Sequence, residues 1–180
     1  MNLKSIPIAA MLLGCTLVAP GLLSSAHAQP GKDIPPSEAM EHEGDLAFLD
    51  KIAQRTTPTG AAARELIALL KDHMATEEDF ILPPLTLLPE LAAGKVSPDM
   101  RWALVDSDRL RAELASVRAM HGKLTVAFLN LKQAAQDEHD AAVEGFSSDL
   151  AADDLGDVDI TEPTVLLIGD WLRAKLPPTQ

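Results

Sequence analysis

The chain has 180 residues, with 27 acidic against 15 basic side chains, a net charge of −12 and 47% hydrophobic residues. This balance argues against nucleic acid or an anionic membrane as a partner, because both select cationic surfaces. It is compatible with cation binding, and the length suits one domain with its own core.

Residues 1–28 read as an export signal. Lys4 gives the positive start, two apolar runs follow through Leu23, and Ala26-His27-Ala28 forms a small-x-small cleavage site. Pro7 and Pro20 interrupt the apolar runs, so they do not read as a membrane span. Leu12-Leu13-Gly14-Cys15 offers a competing lipoprotein box with Cys15 as the anchor, but after a shorter leader than such boxes usually have. The expectation is a periplasmic or secreted protein cut after Ala28. Cys15 is the one cysteine, so removal of 28 of the 180 residues leaves 152 with no thiol. Disulfides and thiolate metal ligands are then excluded.

Residues 29–37 form a polar, flexible arm, and Ser37 is a candidate N-cap. The first predicted helix spans about residues 38–55, with His42, Leu46, Leu49 and Ala53 facing inward. Thr57 caps the second, Pro58 takes its first position, and Pro83-Pro84 ends it near residue 82. Its inward stripe is Leu66, Leu69/Leu70, His73, Glu77 and Phe80/Ile81. Residues from about 85 to 102 form a long connection, with a short helix near 87–93 and another turn opened by Ser97-Pro98. The third helix spans about 107–135, with Leu110, Leu114, Val117, His121, Leu124, Phe128 and Leu131 inward. The fourth starts near Asp137 and lines up Val143, Phe146, Leu150, Asp153 and Asp157. Gly156 and Glu162-Pro163 weaken or break it, and residues 164–176 form a C-terminal helical extension before the tail 177–180. Strand signals are almost absent. The predicted class is all-α, an up-down-up-down four-helix bundle over residues 38–176.

Four histidines remain after the leader: His42, His73, His121 and His139. His139 sits in a turn beside Glu138 and Asp140 and reads as surface. The other three lie on the inward stripes of three helices. His42 is about 15 residues before the first turn and His73 about 16 after it; at about 1.5 Å per residue both lie roughly 22–24 Å from one end. His121 and Asp153 are each about 16 residues from the turn near Asp137, which repeats those levels. One layer is therefore expected to hold His42, His73, Glu77, His121, Asp153 and Asp157. Imidazoles with carboxylates suit iron, manganese or zinc better than calcium or magnesium. Against this, a single His on an apolar stripe is ordinarily a hydrogen-bonded core residue, and Asp153-Asp154 also reads as a solvated acidic patch.

Glu41-His42, the stretch Asp72-His73-Met74-Ala75-Thr76-Glu77-Glu78-Asp79-Phe80-Ile81-Leu82-Pro83-Pro84, and His121 after Ala119-Met120 resemble the haemerythrin-like, HHE cation-binding domain. The runs 85–91, 108–114 and 166–169 extend the resemblance, which covers about residues 38–176. It implies a four-helix bundle around a non-haem di-iron centre, with His42, His73, Glu77 and His121 as matching ligands. It also implies roles in O2 binding or sensing, iron handling, or responses to oxidative or nitrosative stress. Helix four departs from the pattern: the second His-x3-Glu falls on Asp153 and Asp157, beside Gly156. Met120-His121 likewise stands where a Glu-His pair is usual. An altered di-metal site, a single metal on His42, His73, Glu77 and His121, or a metal-free remnant all fit.

The functional expectation is an exported, non-catalytic metal-binding protein holding non-haem iron and a small ligand such as O2, with no nucleic acid and no membrane span. The alternatives are a metal-free helical bundle with a structural or partner-binding role, and a di-iron enzyme acting on peroxide or nitric oxide. For the enzyme, the sequence supplies no separate acid–base pair and no tyrosine for a phenol radical.

Overall fold

The computed structural model describes residues 33–178. The expected leader and cleavage site, Cys15, the first part of the expected arm and the last two residues of the tail lie outside them. Among the described residues every regular element is helical and none is a strand. No helix among them is long and apolar enough to cross a membrane.

Helix α1 spans Pro36–Ala53 and α2 spans Pro58–Thr76. The α1 start is one residue before the expected cap, because Pro36 itself takes the first helical position, where its missing N–H is no loss. Thr57 caps α2 by accepting from the Gly60 N–H at 3.4 Å. Beyond Thr76 the chain continues as a π-helical turn, Glu77–Ile81, then a 3-10 turn, Pro83–Leu87, and the short α3, Leu88–Ala92.

A second 3-10 turn, Pro98–Arg101, runs straight into α4, Trp102–Asp137. This helix begins five residues earlier than its apolar stripe suggested, because Ala103 and Ser107 are buried ahead of Leu110 and extend the inward face. Its 36 residues span about 54 Å. Asp140 caps α5, Ala141–Gly156, by accepting from the Val143 N–H at 3.1 Å. A second π-helical turn, Asp157–Thr161, joins α5 to α6, Glu162–Lys175, so the chain stays helical through Gly156 and Pro163.

The α1–α2 and α4–α5 turns meet at one end, where Arg55 donates to Asp140 at 2.5 Å and the Thr59 N–H donates to Glu138 at 3.1 Å. Above them lies the largest apolar cluster, built from Leu49, Leu66, Leu70, Leu124, Phe128, Leu131, Val143 and Leu150. Phe48 and Phe146 seal α1 against α5, with ring centroids 4.3 Å apart. A second cluster joins Phe80, Ile81, Leu110, Val117 and Val165, and a third joins Met100, Ala103, Ile168 and Leu172. On α4, His121 falls between Val117 of the second cluster and Leu124 of the first, and on the chain leaving α2, Glu77 falls between Met74 of the first and Phe80 of the second. A polar layer is thus held between two dry ones.

Both π turns precede a proline. Leu82 donates its N–H to Glu77 at 2.8 Å, and Glu162 donates its N–H to Asp157; these are i to i−5 bonds. The next residues, Pro83 and Pro163, have no N–H, and a proline ring crowds the carbonyl four residues back. Widening the turn moves that carbonyl aside, while the amide just before each proline closes on the carbonyl five residues back.

Candidate metal centre

His73 and Glu77 sit one turn apart at the end of α2, and both are buried. His73 Nε2 lies 3.2 Å from Glu77 Oε2 and 3.9 Å from Asp157 Oδ2. His42, on α1, brings Nε2 to 3.4 Å from the same Glu77 oxygen, while its Nδ1 lies 2.9 Å from Glu78 Oε1. His121, midway along α4, meets His73 edge to face, with ring centroids 4.7 Å apart. Its Nδ1 lies 2.7 Å from Asp154 Oδ1 and its Nε2 3.3 Å from Glu162 Oε1.

Two overlapping groups therefore have ligand atoms close enough to share an ion: His73, His121 and Asp154, and His73, Glu77 and Asp157. His73 and His121 stand at one level, with their rings in contact. Asp153 lies outside both groups and is exposed; Asp154, expected in a solvated patch, is the aspartate that turns inward. The physical reason is the register of α5. Val143, Ser147, Leu150 and Asp154 are the buried positions, at 4, 3 and 4 spacing. Ser147 holds this register through a 2.7 Å hydrogen bond donated to the Phe128 carbonyl. His139, with φ of 59°, is exposed in the α4–α5 turn as expected.

Glu162 is also buried, although beside Pro163 it read only as part of a helix break. Eight residues of α-helix end about 80° past two full turns. The π turn adds one residue to the winding, and that brings Glu162 back towards the face of Asp154.

Burial lowers the pKa of His73, which outweighs the pull of Glu77 and leaves the ring neutral. His42 is also penalised by burial, yet hydrogen bonding to Glu77 and Glu78 prevails and raises it to about 9. The same contest at His121, burial against the Asp154 hydrogen bond, ends with its pKa raised. Burial, then the neighbouring Glu77, pushes Asp157 up to about 8.

A cavity of about 40 Å³ opens onto this layer. His73, Glu77, Asp154 and Asp157 form its inner wall, and Glu41, Asp45 and Asp153 stand with His42 around it. Mutual repulsion adds to burial there, raising Glu41 and taking Asp45 to about 6.

The donors fit a metal ion. His73 Nδ1 is buried with no hydrogen-bond partner, an arrangement that costs free energy unless something else satisfies it. The available atoms are imidazole nitrogens and carboxylate oxygens, with no thiolate, a set suited to iron, manganese or zinc. Comparison with known protein families, curated proteins and solved structures finds no match to this chain.

Proposed function

We propose that this chain is an exported four-helix bundle of haemerythrin-like type that binds non-haem iron in its core and presents it to a small ligand such as O2. The observation that carries the reading is the pair of His-carboxylate groups meeting at the neutral, buried His73. His73, His121 and Asp154 would hold one position; Glu77 and Asp157, with His42 beside Glu77, would hold a second. Bound iron would supply a redox-active centre with affinity for small diatomic ligands. The protein's part is to orient the donors, to exclude bulk water with the apolar clusters on either side, and to admit cations past Glu41, Asp45 and Asp153.

The test is elemental analysis of the protein purified as its host processes it, without metal-chelating columns. Two irons per chain support a di-metal centre with Asp154 and Asp157 in place of the usual helix-four pair. One metal supports a single-ion site. None, even after anaerobic ferrous loading, overturns the proposal.

One observation favours a metal-free bundle as the second reading. His121 is hydrogen-bonded to Asp154 at Nδ1 and has Glu162 near Nε2, and His42 has Glu77 and Glu78, so these rings have charged partners within the protein alone. On that reading a chelator leaves the melting temperature unmoved; a clear drop counts against it.

A further inference from the structure

Glu162 is the most deeply buried carboxylate in the molecule, fully enclosed at 0% exposure, and the two groups of candidate ligands do not include it. Its two oxygens have different surroundings. Oε2 accepts from Arg118 Nε at 3.1 Å, and Arg118 is 52% exposed at its side chain. Oε1 makes no hydrogen bond and faces His121 Nε2 at 3.3 Å. Asp154 meets the opposite nitrogen of the same ring at 2.7 Å. The cavity that opens onto the site is walled by Asp154 but not by Glu162. His121 therefore has an inner side, shared with Asp154 and His73, and an outer side, shared with Glu162 and Arg118.

We propose that Glu162, held by Arg118, is a positioning residue that turns the Nδ1 lone pair of His121 towards a metal ion. This rests on the metal-binding reading above. A neutral imidazole that coordinates through one nitrogen carries its proton on the other, and the partner of that proton fixes both tautomer and ring angle. Glu162 Oε1 is the acceptor within reach of Nε2. An ion on Nδ1 then shares Asp154 and His73, the group already within ligand distance. The Arg118 guanidinium suits the outer role: it neutralises Glu162 from the solvent side, whereas a cation that close would oppose an ion bound directly to Glu162.

The test is a double-mutant cycle with Co(II) as the probe, reading its dissociation constant and its d–d absorption. Glu162→Gln and Arg118→Met are each expected to weaken Co(II) binding by about 10–100-fold and to shift the d–d bands. The second change adds nothing in the Glu162→Gln background, because Arg118 acts only through Glu162. Should Glu162→Gln fail to fold, Arg118→Met decides alone, since that side chain is largely in solvent. Native-like affinity and spectrum in both variants overturn the positioning role and leave the metal-binding reading intact. No Co(II) binding by the native chain overturns that reading, and the positioning role with it.

Discussion

Asp153 and Asp154 are neighbours in sequence with opposite surroundings: the first is exposed, and the second is 8% exposed against His121. Replacing each with alanine separates an electrostatic entrance from a ligand. Asp154→Ala removes a donor from the His73–His121 group and leaves the His121 nitrogen facing a hole, so metal content falls. Asp153→Ala leaves metal content unchanged and relieves the repulsion that raises Glu41 and Asp45. Elemental analysis of the two variants side by side checks this; equal loss in both would return Asp153 to the ligand set. His73 is the residue common to both groups, so His73→Ala is expected to abolish binding at both positions. Metal content equal to that of the native chain would remove the basis for the whole centre.

Two glycines show how differently the helices use the same residue. A Cβ built on Gly169 of α6 would lie 2.0 Å from Ser107 Oγ, so the close crossing of α6 on α4 depends on glycine there. Gly169→Ala is expected to destabilise by about 1–3 kcal/mol through overpacking, and Ser107→Gly should recover part of it. Gly156 has open space around its Cβ position and ordinary helical φ. Gly156→Ala is expected to stabilise by up to about 1 kcal/mol through helix propensity. Urea unfolding of the three variants measures both effects. Gly156 also marks where the sequence stopped being readable. The apolar stripes of α2 and α4 placed His73, Glu77 and His121 inward because leucines flank them at helical spacing. On α5 a buried serine at 147 and a half-buried phenylalanine at 146 made the wrong stripe look apolar, and that displaced the inward aspartate by one residue. Past Asp157 a periodicity of 3.6 no longer applies, because the π turn adds a residue that no hydrophobic pattern announces. Two turns of this kind before two prolines, each opening at a candidate ligand, suggest that proline placement is the readable trace of such a bulge.

For the molecule as a whole, the charge states of the layer tie stability to pH in a way that bound metal should reverse. His42 has a pKa of about 9 and Asp157 of about 8, so at neutral pH both hold protons in the metal-free protein. The raised His42 stabilises fully below its unfolded value near 6.5, and that contribution is lost as pH rises through about 9. Raised carboxylates act in the same direction: Asp157 and Asp45 have unfolded values near 3.8. The folded state therefore binds more protons than the unfolded one up to about pH 8 and about pH 6 respectively. His73, lowered by burial, opposes this as pH rises through the unfolded histidine value near 6.5, one group against the raised His42, His121, Asp157 and Asp45. Glu138 and Asp140 at the opposite end are also lowered, but both are near the surface, where such effects are small. The metal-free chain should thus lose melting temperature as pH rises from about 4 towards 9. A bound ion takes the place of those protons, so its affinity rises over the same range and the loaded protein gains stability where the metal-free protein loses it. Calorimetric titration in buffers of different ionisation enthalpy reads the exchange directly, because protons leaving His42 and Asp157 add a buffer-dependent heat. A buffer-independent heat at pH 7, with parallel melting curves for loaded and stripped protein, would mean that the ion binds without drawing on this layer.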